Sequence, residues 1–167
     1  MASQLPPFPR VVFTVLEPIS LLAGFFPAVL LPDWFIGEQL PSAASASATS
    51  AATMTANSRV VAQQLGNCYG LAFLVAVAVL YSTTEIKVVR NYLIALWIAD
   101  IGHVAITYLA LGHDRAVDVG AWNPMTWGNI GATLFLFLTR TAYLPGLFGP
   151  DRSPSGLEKE KKKNKTI

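Results

Sequence analysis

The stretch NYLIALWIADIGHVAITYLAL, residues 91–111, decides how this chain is read. It has the length and apolarity of a helix that crosses a bilayer, whose hydrocarbon core of about 30 Å takes roughly 20 helical residues. Asp100 and His103 nevertheless stand near its middle. Ionisable groups at that depth are costly, so they face a bundle interior or a cavity, and they are the first place to look for function.

The rest of the chain belongs to the same setting. Of 167 residues, 53% are hydrophobic and 13% charged, with a mean hydropathy of +0.46. A soluble domain carries about a quarter charged residues. The apolar residues are also gathered into long runs, the pattern of a membrane protein rather than of a soluble core. Cys68 is the only cysteine, which excludes an internal disulfide framework and a multi-cysteine metal site. The net charge of +2 forms no nucleic-acid patch, since most basic residues lie in the C-terminal tail.

Four segments are long enough to cross, at about residues 11–31, 60–81, 92–111 and 124–144. Asn123 is placed to cap the last of them, Pro124 suits its first helical position, and LPGLFGP at 144–150 stops it. The predicted architecture is an all-α, integral membrane four-helix bundle over residues 1–150 with a basic tail at 151–167. The first span follows a single Arg10 and holds Glu17, Pro18 and Pro27, so it reads as a retained helix rather than a secretory signal. The leader also lacks the arginine-rich pattern of mitochondrial import.

Arg10, Lys87, Arg90, Arg152 and the tail lysines fall on one side of this arrangement, with only Arg59 and Arg115 on the other. Positively charged loops stay inside, so both termini are expected in the cytosol, with Trp34, Trp122 and Trp127 in a lumenal aromatic belt. SAASASATSAATMTANS, residues 42–58, lacks the apolar groups to build a core and reads as a flexible lumenal loop. In the tail, Lys163 and Lys165 have the KxKxx spacing that a coat receptor reads for return to the endoplasmic reticulum. The same lysines also suit a solvated polybasic tail resting on anionic lipid. The NKT sequon at Asn164 would lie in the cytosol, out of reach of the glycosylating transferase.

Projected at 3.6 residues per turn, each span has one polar stripe. Thr14, Glu17, Leu21 and Gly24 share a face of the first, and Gln63, Asn67 and Gly70 a face of the second. Leu96, Asp100, His103 and Thr107 line up on the third; Asn129, Thr133, Leu136, Arg140 and Tyr143 do so on the fourth. Lipid satisfies none of these groups, so the stripes are expected to meet inside the bundle. At 1.5 Å per residue, Arg140, Glu17 and Asp100 lie about 6, 9 and 12 Å below the cytosolic boundary, close enough to form one ionic cluster. His103, Asn67 and Asn129 continue the polar column toward the lumen.

Asn67, Asn129, Thr107 and Thr133 serve equally well as glue between helices, at about 0.6 kcal/mol per hydrogen bond, and Arg140 can snorkel to the headgroups without a partner. Asp100 and His103 have the spacing of two metal ligands, but His113 falls in a lumenal loop and no other histidine exists, so no metal site is predicted. Phosphate-binding glycine loops, a serine elbow and a haem motif are absent from the sequence, and no cofactor is expected. Acid–base chemistry remains. Burial favours a neutral carboxyl and a neighbouring guanidinium favours its anion, so Glu17 and Asp100 can be held in opposite protonation states. One then donates a proton, the other withdraws one, and His103 orients or relays. Gln63, Asn67, Trp97, Thr107, Asn129 and Tyr143 are expected around a lipophilic substrate entering from the bilayer. Saturable lipid binding without conversion and a purely structural role are the competing readings.

The segments EPISLLAGFFPAVLLP (17–32), QLGNCYGL (64–71), WIADIGHVAITY (97–108) and TWGNIGATLFLFLTRTAYLPGLFG (126–149) resemble a group of small fungal four-span membrane proteins. Some of these are encoded in clusters for pyrone polyene polyketides of the citreoviridin and aurovertin type, where they are assigned as epoxide hydrolases or cyclases acting after a flavin monooxygenase. The resemblance covers about residues 6–149 apart from the Ala/Ser loop. It implies opening of a polyketide epoxide, with Asp100 as base, Glu17 as proton donor, Arg140 setting their protonation and His103 orienting water or relaying. The two carboxyls can exchange these roles. A carboxylate–arginine–carboxylate group is analogous to that of one-step epoxide hydrolases on an unrelated fold. The layout is also similar to the EXPERA group of sterol isomerases and lipid-binding proteins, which have buried carboxylates in a lipid-accessible pocket.

Overall fold

Helix boundaries in the computed structural model, which describes residues 4–40 and 55–152, follow from local chemistry. Helix α1 (Pro7–Leu30) begins a turn before the expected Val11, because prolines are tolerated in a first turn where no N–H is needed. Helix α3 (Ala56–Ser82) is capped by Thr55, whose Oγ1 accepts from the Ser58 amide at 3.1 Å. Helix α4 (Ile86–Leu111) starts straight after the turn at 83–85 and stops where Gly112 takes a φ of 77°. As the sequence predicts, Asn123 caps α6 (residues 124–143), its Oδ1 accepting from the Thr126 amide at 2.8 Å.

Two short α-helices were not expected. A short helix, α2 (Pro32–Gln39), follows α1 directly, and α5 (His113–Val117) sits in the α4–α6 connection. Two helices also contain wide π turns, Val12–Leu16 in α1 and Trp127–Ala132 in α6. The first lies just before Pro18, which has no N–H for the Thr14 carbonyl. The Tyr81 hydroxyl takes that carbonyl instead, at 2.7 Å.

The described residues are all helix, turn and loop, without strands. Three helices, α1, α3 and α4, with 24, 27 and 26 residues, are long and apolar enough to cross a membrane, as those of an integral membrane protein are. The segment expected as a fourth span forms the continuous helix α6, which is made less apolar by Asn129, Thr133 and Arg140 and is not among these three.

The helices associate in two antiparallel pairs. In the first, α1 meets α3 through small residues: a Cβ on Gly66 would stand 2.7 Å from Val29 Cγ2 and 3.0 Å from Ala28 Cβ, while Gly24 lies under the Tyr69 ring and Gly70 under Phe25. Such contacts let helices approach closely in a setting without a hydrophobic driving force. In the second, Trp97 of α4 stacks on Phe137 of α6 at 5.6 Å between centroids and donates to Thr141 Oγ1 at 2.8 Å.

One end of the bundle closes on a core of Leu5, Val12, Phe13, Leu80, Val89, Leu93 and Tyr143. Both described chain ends are bound here. The Arg152 amide donates to the Gln4 carbonyl at 2.7 Å, Gln4 Nε2 donates to the Thr84 carbonyl at 2.6 Å, and Asp151 takes the Tyr143 hydroxyl at 2.9 Å. The expected tail therefore starts with two residues docked on the bundle. The opposite end closes on Ala28, Phe35 and Ala62, with α2 laid across it. Lys163, Lys165, Asn164 and most of the 42–58 loop lie outside the described residues.

Candidate functional site

Between the two pairs lies a cavity of about 550 Å³, within the usual range for a small-molecule site. Its deep end is ionic. Arg140 of α6 is 1% exposed and gives Nη2 to Glu17 Oε1 and Nη1 to Asp100 Oδ2. The side chain of Glu17 is 5% exposed and that of Asp100 12%, so the second carboxyl has more open space before it. The Arg140 guanidinium also rests on the Phe13 ring, 5.4 Å from its centroid. Among the described residues, Glu17 Oε2 and Arg140 Nε are buried without a hydrogen-bond partner. An orphaned carboxyl oxygen on a cavity wall is costly unless it carries a proton or meets a ligand.

The middle of the cavity is polar and the far end aromatic. His103, Asn129 and Thr133 line the middle, and Asn129 Nδ2 donates to Gln39 Oε1, at the end of α2, at 3.0 Å. Trp34 and Phe35 of α2, Tyr69 of α3 and Met125 of α6 form the far walls. Helix α2 is held there by Asn123, whose Nδ2 donates to the Glu38 carbonyl at 2.9 Å and its carboxylate at 2.8 Å, and by the Asp33–Arg59 ion pair at 2.7 Å.

Three of the four polar stripes thus converge, and all four predicted catalytic residues, Glu17, Asp100, His103 and Arg140, belong to one site. Of the six predicted pocket residues, only Asn129 lines the cavity. Helix α3 turns Ala62, Gly66, Ala76 and Leu80 inward, and one residue is 100° of helix rotation. Asn67, next to Gly66, is consequently exposed, and Gln63 lies on the outside, donating to the Val29 carbonyl at 3.4 Å. Thr107 bonds back to the His103 carbonyl at 2.9 Å, a local use of its hydroxyl. Trp97 is spent on the α4–α6 seam, and Tyr143 on the closed end of the bundle.

The sequence reading missed Tyr69, Ser20 and the α2 aromatics, all on the cavity wall. The small residues Ala62, Gly66 and Gly70 were the signal for Tyr69, because they mark which face of α3 packs. Among the described residues no three His, Cys, Asp or Glu side chains group as a metal site would require.

Fold and site define an all-helical, membrane-compatible bundle with a buried carboxylate–guanidinium–carboxylate cluster at the floor of an internal cavity. The chain belongs to the family described as a domain of unknown function, DUF7704, whose model matches residues 2–150. No curated protein and no solved structure matches it.

Proposed function

We propose that this protein is a membrane-embedded acid–base enzyme that opens an epoxide on a lipophilic polyketide, by hydrolysis or by cyclisation. The observation that carries the reading is Arg140 held between two carboxyls of unequal burial on one cavity wall. Glu17, with its orphaned oxygen, suits the protonated acid. Asp100, facing the more open space, suits the anionic base. In the reaction a water or substrate hydroxyl attacks an epoxide carbon and passes its proton to Asp100. The carbon–oxygen bond breaks, and the departing oxygen takes the Glu17 proton. His103 orients the nucleophile and relays the proton back to Glu17, so that hydrolysis consumes one water and leaves both carboxyls as they began. The aromatic end would hold the polyene.

The proposed setting is a four-span protein of the endoplasmic reticulum membrane with both termini cytosolic, of the fungal type that serves secondary metabolism. Supporting it, the described chain ends and the 83–85 turn share one end of the bundle. Lys163 and Lys165 would bind the retrieval coat. The same apolar walls favour a second reading, an EXPERA-like isomerase or carrier of a sterol-like lipid. One experiment separates them: wild type, Asp100→Asn and Glu17→Gln are expressed in a fungal host making a polyene epoxide, and products are followed by mass spectrometry. Conversion by wild type, lost in both well-expressed variants, supports the enzyme. An unchanged product profile in all strains rejects this substrate class, and saturable sterol binding then supports the second reading.

A further inference from the structure

We propose that the outer face of the α1–α3 pair binds one anionic phospholipid, with an acyl chain in the groove between the helices and the headgroup at Arg10. Near Gly24, Gly66 and Gly70 the two helices close on each other. The facing stretches 14–22 and 73–81 hold no glycine. There the seam stays open as a groove of about 300 Å³, walled by Pro18, Ile19, Phe73 and Val77. Its one polar end follows from Pro18, which offers no N–H to the Thr14 carbonyl, so that the Tyr81 hydroxyl donates to it instead, at 2.7 Å. Thr14 and Tyr81 make the head of an otherwise apolar groove, which shares no residue with the ionic cavity.

Length and charge both select the occupant. Helices α1 and α3 are two of the three fit to cross a membrane, so this face meets lipid. From Thr14 to Leu22 on one helix, and from Tyr81 to Phe73 on the other, the groove runs eight residues, about 12 Å at 1.5 Å per residue. Half of a hydrocarbon core is about 15 Å, so the groove matches the chains of one leaflet. Its polar head lies at the Arg10 end: the Thr14 hydroxyl donates to the Arg10 carbonyl at 2.7 Å. Long side chains on a helix lean toward its N-terminus, which carries the Arg10 guanidinium outward to headgroup level. Arg10 is exposed and, among the described residues, forms no ion pair. The described charges of that end are Arg10, Lys87, Arg90 and Arg152 against Glu85 and Asp151, a positive balance. Asp151 is already held by Arg90 and Tyr143. The site is independent of the acid–base reading and stands or falls without it.

The test uses full-length protein in non-ionic detergent, titrated with dioleoyl phosphatidylserine or dioleoyl phosphatidylcholine, with the first bound lipid counted by native mass spectrometry. Wild type should prefer phosphatidylserine by about fivefold, the worth of one arginine beside an anionic lipid. Arg10→Gln should bring the two lipids to equal affinity while the first lipid is still retained. Val77→Trp, which fills the groove, should lose the first lipid of either kind. Arg10→Gln lies outside every packed core and decides the headgroup contact by itself, whether or not Val77→Trp folds. Equal affinity in wild type, a preference that survives Arg10→Gln, or retention unchanged in a folded Val77→Trp would overturn the proposal. So would displacement of the lipid by glycerophosphoserine, which has no chains and would mark a soluble-anion site, or by cholesterol, which would mark a sterol site. A lipid-free dimer in the same spectra, abolished by Val77→Trp, would give this face to a second copy of the chain instead.

Discussion

Arg140→Met is the sharpest perturbation of the buried cluster. It removes a 1% exposed guanidinium and leaves two carboxyls behind. Breaking a buried ion pair by deleting one partner costs about 3–5 kcal/mol, mostly because the abandoned charge has no water to turn to. Here the abandoned groups differ. Both carboxyls line the cavity, but Asp100 has more open space from which to recruit water than Glu17, so a loss of about 4 kcal/mol is expected. Arg140→Lys should recover only part, because an ammonium lacks the planar fork that reaches two carboxylates at once. The decisive variant is the triple Arg140→Met, Glu17→Gln, Asp100→Asn. It leaves no uncompensated charge, and neutral replacement of a whole buried ionic group is often close to neutral in stability. It should regain most of the lost stability while remaining inactive. The assay is reversible unfolding in mixed micelles at fixed detergent composition, with wild type as reference. A single Arg140→Met variant within about 0.5 kcal/mol of wild type, or a triple variant no better than the single, would refute the view that these three charges are mutually dependent.

Two glycines should respond oppositely to alanine. Gly66→Ala pushes a methyl to within 2.7 Å of Val29 Cγ2 and should cost about 1–3 kcal/mol by overpacking, whereas Gly102→Ala meets nothing within 4 Å and should gain up to about 1 kcal/mol from helix propensity; thermal unfolding of both variants checks the contrast. Topology is testable in a Cys68→Ala background: Glu85→Cys and Asp118→Cys should be labelled by a membrane-impermeant maleimide from opposite faces of sealed vesicles, and labelling from the same face would break the proposed four-span arrangement.

How much of this was legible beforehand depends on what each residue answers to. The hydropathy runs marked the four long helices to within a few residues, because backbone groups in lipid have no partner outside their own helix. Helix starts moved by a turn where prolines at 7 and 9 or a polar turn such as Ser58–Arg59 extended them, since hydropathy does not register interfacial turns. The short α2 was illegible as a wall of the site: nothing in PDWFIGEQ says which way Trp34 and Phe35 will face.

The ionic cluster itself was written in the sequence. Three charged side chains at matching depths on three apolar helices satisfy one another, so helical periodicity and bilayer thickness pointed to Glu17, Asp100 and Arg140 meeting, although Arg140 alone could also have snorkelled to the headgroups. Which polar side chains joined them was decided only by tertiary packing. Asn67 and Gln63 share the polarity of Asn129, yet the close approach of α1 to α3 at Gly66 rotated them out and put Tyr69 on the wall. A polar amide costs little on either side of a helix that has water or a carbonyl within reach. A buried charge tolerates one solution, and that difference in cost is why the chain announces its ions and conceals the rest of its pocket.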